Sequence, residues 1–229
     1  MDGLRPERVP WALVTAARPT RVAAIADLHG FLPEIPPCDI LLVAGDVCPT
    51  QDHRLDFQRW WLENSFSQWL GEIDAGVVLG IAGNHDFVAE AEPDLMRRLP
   101  WTYLCDETIE AGRLRIHGSP WTPTFYDWAF MQDDADLEAV WAAIPTDVDV
   151  LVTHGPPHQH GDLVIDGHHG GSETLRRRLD ELPQLQLHVF GHIHEAGGTL
   201  DRIGNALLAN VSHVDFDYRP ARPAAVFDL

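Results

Sequence analysis

The sequence predicts an α/β fold built around one core. Three observations carry that reading: apolar runs of four to six residues recur along the chain, helical patterns lie between them, and 229 residues are enough to bury one sizeable core.

The apolar runs come first. "RVAAIAD" (21–27), "DILLVAGD" (39–46), "GVVLGIAGNHD" (76–86), "RLRIHGSP" (113–120), "DVLVTHGPP" (149–157) and "LHVFGHIH" (187–194) are rich in Val, Ile, Leu and Ala and end in turn formers. Strands covered on both faces have this composition, so these runs are expected at the centre of one or two sheets. "NALLANVS" (205–212) and "PAAVFDL" (223–229) read as further strands, the second bringing the C-terminus into the core.

Helix candidates fill the intervals. "DHRLDFQRWWLENSFSQWLGE" (52–72) sets Phe57, Trp60, Trp61, Leu62, Phe66, Trp69 and Leu70 on one broad stripe that should pack on a sheet, with Gly71 as its stop. "DDADLEAVWAAI" (133–144) carries acids in its first turns, where the helix dipole favours them, and ends at Pro145. "SETLRRRLDEL" (172–182) opens with Ser172, a good N-cap, and stops before Pro183. No internal repeat, low-complexity tract or dividing linker interrupts the pattern, and residues 1–229 read as a single domain.

The formal net charge of -19, from 35 acidic and 16 basic residues, lacks the positive field that long nucleic acids or anionic membranes require. An anionic substrate would need local positive charge, for which bound metal ions are the obvious source. Cys38, Cys48 and Cys105 are odd in number and unpaired in spacing, which fits free thiols in a reducing, cytoplasmic setting. The start, "MDGLRPERVPWALV", does not read as a targeting segment, and no stretch has the roughly 20 apolar residues of a membrane helix.

All but one of the first six runs end in metal-ligand residue types: Asp27-Leu28-His29, Gly45-Asp46, Gly83-Asn84-His85-Asp86, Thr153-His154-Gly155 and Gly191-His192-Ile193-His194. In open α/β sheets ligands bind beyond the carboxyl ends of strands, so these fragments can converge although they are distant in sequence.

The set D-x-H, GD, GNHD, HG and GHxH, in this order, resembles the calcineurin-like metallophosphoesterase superfamily. "HGSPWTPTFYDWAF" (117–130), "DVLVTHGPP" and "LHVFGHIHEAGGTL" (187–200) are similar to the animal metallophosphoesterase-domain-containing proteins and their bacterial relatives, regarded as metallophosphodiesterases. The resemblance implies a four-layer α/β/β/α sandwich of two mixed sheets, the metallophosphoesterase fold. It also implies a dimetal centre: Asp27, His29 and His194 on the first ion, Asn84, His154 and His192 on the second, and Asp46 bridging. Such donors suit Mn, Fe or Zn. Two dications about 3.5 to 4 Å apart can clamp a phosphoryl oxygen and share a hydroxide nucleophile.

By the same resemblance His85 is no ligand but faces the substrate, to stabilise developing charge or protonate the leaving alkoxide. Asp86 reads either as the partner that holds this imidazole or as a loop-capping acid. His158, His160, His168 and His169, in the Gly-rich loop 155–171, lie either against the substrate or in solvent. The helix N-terminus at Ser172 could offer anion-binding amides. Trp121, Phe125, Tyr126 and Trp128 are expected to cover the sheet, with stacking on a nucleobase as the alternative. His53, His117, His188 and His213 have no motif support.

The implied function is hydrolysis of small phosphodiesters, cyclic nucleotides or other nucleotide-type diesters, by a metal-bridging hydroxide. Two dications against Asp27 and Asp46 leave two positive charges, which one hydroxide and one diester monoanion neutralise. The GDxVDRG block of the Ser/Thr protein phosphatases is absent, since Gly45-Asp46 runs into Val47-Cys48-Pro49. Rival readings are a phosphomonoesterase, a catalytically silent scaffold like the retromer subunit of this superfamily, and a metal sensor or buffer. A silent scaffold predicts missing ligands or a missing His85, and all eight positions are intact.

Overall fold

The structure, a computed structural model, describes residues 18–229. The N-terminal stretch read above for a targeting segment lies outside them. Strands β1 (Arg21–Ile25) and β2 (Cys38–Ala44) lead to helix α1 (Leu55–Trp61), which passes through a π-helical turn at Leu62–Phe66 into α2 (Ser67–Glu72). Next come β3 (Ala75–Ile81), α3 (Phe87–Ala91), α4 (Pro93–Arg98), β4 (Thr102–Tyr103), β5 (Glu107–Ala111) and β6 (Leu114–Ser119). The chain continues through β7 (Thr122–Pro123), β8 (Met131–Gln132), α5 (Asp134–Ala142), β9 (Val150–Thr153), α6 (Glu173–Leu179) and β10 (Leu187–Phe190). It closes with β11 (Leu200–Ile203), β12 (Ala206–Asn210) and β13 (Ala225–Asp228).

Two mixed sheets result. The first has the order β13-β1-β2-β3-β4, parallel except for its β13 edge; the second has the order β11-β12-β10-β9-β6-β5, parallel except for the β11 and β5 edges. Three apolar layers separate four structural ones, because the central strands bury both faces. Ala24, Leu42 and Ile81 of the first sheet meet Ile116, Val152 and Val189 of the second. Outside the first sheet, Leu41 and Val43 pack against Trp61, Phe66 and Trp69; outside the second, Leu151 and Leu208 pack against Trp141 and Leu179. This is the four-layer α/β/β/α sandwich. At one end the sheets are joined by backbone: the amide of Ala26 donates to Val211 and the amide of His213 to Ala26.

All eight apolar runs form strands, and three helical regions form where expected. Three details differ. The C-terminal strand is an edge strand with alternate residues exposed, so it borders the core instead of entering it. Trp60 leaves the stripe and is 56% exposed, because successive helical residues point about 100° apart and Trp61 takes the inward position. Gly71 sits inside α2, one residue before its end.

Candidate metal centre

The predicted ligands gather where the strands give way to loops. Asp27 and Asp46 each lie two residues beyond β1 and β2, Asn84 follows β3, His154 follows β9 directly, and His192 follows β10. The backbone bends sharply to bring them in. Asp27, His29, Asp46 and His192 all have positive φ, between 44° and 69°, a region that costs non-glycine residues energy and collects at functional sites. Two glycines allow the approach: a Cβ on Gly83 would stand 2.3 Å from Oδ1 of Asp46, and one on Gly191 2.3 Å from Oδ2 of Asp27. No larger residue fits at either place.

The donor atoms fall into two groups, Asp27 with His29 and His194, and Asp27 with Asp46 and His154, each with its ligand atoms within 4.8 Å of one another. In the first, Nε2 of His29 faces Nε2 of His194 at 3.2 Å, and Nε2 of His194 stands 3.6 Å from Oδ1 of Asp27. In the second, Nε2 of His154 lies 2.8 Å from Oδ1 of Asn84 and 3.5 Å from Oδ2 of Asp46. Asp46 also reaches the first group, with Oδ2 3.7 Å from Nε2 of His29. The ring of His192 packs edge-on to that of His154, 5.1 Å between centroids, and His192 lines the cleft above. Asp27, like Asp46, thus stands within reach of both groups.

Electrostatics follow from this crowding. Burial would raise Asp27 and Asp46, but the imidazoles around them, led by His194 for the first and His154 for the second, hold both below the usual carboxylate range. Burial drives His29 and His192 down to about 3, leaving neutral rings with free lone pairs. Asp46 lifts His154 to about 9 and Asp27 raises His194, in both cases against burial. These oxygen and imidazole donors, with no thiolate among them, fit divalent first-row cations. Two buried ring nitrogens facing each other at 3.2 Å, with carboxylates close by, form a set that a cation between them satisfies better than any hydrogen bond.

Neighbouring groups fix the ligands in place. Nδ1 of His154 donates to the Ala44 carbonyl at 3.0 Å, which turns Nε2 inward. Asp27 accepts the His192 amide and the Ser212 hydroxyl, and Oδ1 of Asn210 accepts the Ser212 amide. Asp46 accepts the His85 amide at 2.7 Å. Sequence reasoning missed Ser212 and Asn210, whose only signal is their position at the end of β12.

His85 lines the cleft with Nδ1 3.4 Å from Nε2 of His53, a histidine without motif support. Asp86 does not hold the ring. Its carboxylate accepts the amides of Gly83, Val47 and Cys48, so it ties two ligand loops together as a capping acid. Burial and the nearby Asp46 charge raise Asp86 to about 6.

The cleft above the centre encloses about 460 Å³. Of the four loop histidines only His168 lines it; His160 pairs with Asp201, while His158 and His169 turn to the buried Asp162. The start of α6 offers no free amides, because the Asp134 carboxylate accepts those of Glu173 and Thr174. Trp121 packs on the apolar layers as expected. Phe125 and Tyr126 do not, at 64% and 62% exposed, and Trp128 lines the cleft with Phe125. The segment spans the connection between the paired strands β7 and β8. Sequence reasoning also passed over Phe216 and Tyr218, which line the opposite side.

The sequence model of the calcineurin-like phosphoesterase family matches residues 20–196. The chain is 32% identical to the human Metallophosphoesterase domain-containing protein 1, over 92% of this chain and 71% of that protein. It is 29% identical to the Caenorhabditis elegans UPF0046 protein C25E10.12, over 88% of this chain and 76% of that protein. Among solved structures it is similar to the Thermus thermophilus sulfate thiohydrolase SoxB, with a TM-score of 0.45 and 13% identity over 76% of this chain and 33% of that chain. The chain belongs to the calcineurin-like phosphoesterase family, whose members are phosphoric ester hydrolases typically dependent on two metal ions.

Proposed function

We propose that the protein hydrolyses small phosphodiesters at a dimetal centre, with Asp27, His29 and His194 holding one ion, Asn84, His154 and His192 the other, and Asp46 both. When bound, two divalent cations supply the positive charge that holds phosphoryl oxygens and lowers the pKa of water toward about 7. The observation that carries the reading is the convergence of these seven side chains and His85 beneath one open cleft.

His85 does the remaining chemistry. Its Nδ1 is turned to His53, and its Nε2 has no hydrogen-bond partner among the described residues, so Nε2 is the atom that meets the leaving oxygen. Burial lowers His85 to about 4, so the ring is neutral, and an N–H there donates a hydrogen bond that stabilises the charge developing on that oxygen as the P–O bond breaks. Gly83 and Asp86 hold the loop, so the ring needs little reorganisation as charge develops.

Charge supports a diester over a monoester. Two dications against two carboxylates leave two positive charges, and among the described residues no arginine lines the cleft to meet the extra charge of a monoester dianion. Protein loaded with Mn(II) is expected to hydrolyse bis(p-nitrophenyl) phosphate faster than p-nitrophenyl phosphate, and His192→Ala to abolish both activities. Metal-replete protein inert on diesters and monoesters alike would overturn the reading; a preference for the monoester would overturn its diester part.

A further inference from the structure

The walls of the cleft differ in kind from its floor. His85 sits between two aromatic side chains: the Trp128 ring meets it edge-on at 3.9 Å between centroids, and the Tyr218 ring lies 6.2 Å away. Tyr218 also covers His29 and His194, at 4.8 and 4.9 Å. An ester whose leaving oxygen meets His85 must therefore run its organic group out between Trp128 and Tyr218. Farther out the walls continue as Phe125 and Phe216, both more than half exposed.

Tyr218 is held there by construction. Its φ is 59°, the same strained region as four of the candidate ligands. Asp215 builds the turn that imposes it, accepting the amides of Asp217 and Arg219 on its side chain and that of Tyr218 on its carbonyl. This hairpin lies beyond residue 196, where the family match ends.

At the rim of the slot the charged side chains among the described residues are acidic. The chain contains no lysine; its 16 basic residues are all arginines. Among the described residues none lines the cleft, and the nearest by sequence are engaged: Arg219 pairs with Asp217 and Arg222 donates to the Val214 carbonyl. Asp166 and Glu195 do line it. His168 is turned to Asp166, and Glu195 accepts the Ile165 amide.

We propose that this cleft is a slot for one flat, uncharged organic group of the substrate, selected by Tyr218 and Trp128, and that Asp166 and Glu195 turn away esters carrying a second phosphate. The inference rests on the phosphoesterase reading for where the phosphate sits. It places single-phosphate esters of aromatic or nucleoside groups inside the specificity, and nucleotides with additional phosphates outside it.

Calorimetric titration of the Mn(II)-loaded protein with adenosine 5'-monophosphate and adenosine 3',5'-bisphosphate tests it. The monophosphate is expected to bind about tenfold tighter despite its lower charge, since the remote phosphate meets like charge. Tyr218→Ala should weaken the monophosphate by about five- to a hundredfold, the range for losing one stacking partner, while Tyr218→Phe and the distant control Trp60→Ala keep it. Asp166 is exposed and Glu195 half-buried, and Asp166→Asn combined with Glu195→Gln keeps the shape of both side chains and an acceptor for the Ile165 amide; it should raise affinity for the bisphosphate at least about fivefold. Equal binding of the two nucleotides, no binding of the monophosphate, or no response to Tyr218→Ala and the double substitution overturns the slot. Turnover of bis(p-nitrophenyl) phosphate, measured in parallel, separates the two readings. A retained nucleotide preference without turnover overturns the hydrolase and leaves the slot standing; turnover without preference overturns the slot alone.

Discussion

The first sheet delivers Asp27, Asp46 and the Asn84 amide to the centre along with His29 and His85, whereas the second delivers only imidazoles, those of His154, His192 and His194. The anions stand on one sheet and three of the four imidazole ligands on the other. Each group of ligand atoms spans the gap, since Asp27 meets His194 and Asp46 meets His154. Neither sheet could hold two dications alone, so the centre exists only in the assembled sandwich. The second sheet also buries two further histidines, His117 on β6 and His188 on β10, whose rings bond Thr108 and Thr153 instead of carboxylates. One residue type thus serves two ends, decided by whether an acid from the opposite sheet faces it.

Removing the charge on the first sheet tests this division most severely. Asp46→Asn should lower turnover of bis(p-nitrophenyl) phosphate by about a thousandfold or more, because it touches both groups and several kcal/mol of transition-state stabilisation go with it. Elemental analysis should find metal lost as well. His85→Ala keeps every ligand and is expected to lower kcat by about a hundred- to ten-thousandfold with metal content intact. Loss of metal in that variant would show that His85 belongs to the floor and not to the chemistry.

A smaller effect is expected across the seam. The Ser212 hydroxyl, from the end of β12, donates to Asp27 on the first sheet. Ser212→Ala should weaken metal affinity by about 10- to 100-fold, read by competition with a chelating dye, and the loss should be larger for the ion nearer His29.

The last prediction concerns a histidine that faces no acid. Burial lowers His117 from 6.5 to about 4, and its Nε2 has no partner to receive a proton. The folded state then binds fewer protons than the unfolded chain, so His117 favours folding above pH 6.5 and loses that advantage as pH falls toward 4. Between pH 7 and pH 5 the metal-free wild type should lose about 2 kcal/mol more stability than His117→Asn, measured by urea unfolding. Equal losses would mean that the ring is protonated in the fold without cost.

Much of this was legible from residues alone. β1, β2, β3, β9 and β10 are buried on both faces and therefore appear as unbroken apolar runs, and their ends carry the donors. β5 was not legible, because "ETIEA" is largely exposed and reads as a polar stretch. The π-helical turn at Leu62–Phe66 hides in an ordinary helical pattern, since one extra residue per turn leaves the apolar stripe nearly intact. His53, Ser212 and Tyr218 escaped for a different reason. Each acts through contacts with residues distant along the chain, which leave no periodicity in the sequence. Asp86 misled because adjacency to His85 along the chain implied a contact that the turn does not make.

The carboxylate of Asp134 at the start of α6 has a consequence for isotope exchange. The first amides of a helix normally lack acceptors and exchange with solvent quickly. Here Glu173 and Thr174 donate to Asp134, and Leu175 to the Ser172 hydroxyl, which itself donates to Asp134. These three amides should therefore exchange at the rate set by joint opening of α5 and α6, and Asp134→Ala should free the first two while leaving the interior of both helices protected. The loop 155–171, which carries one rim of the cleft, ends at this anchor, so its far side is clamped even when its tip moves.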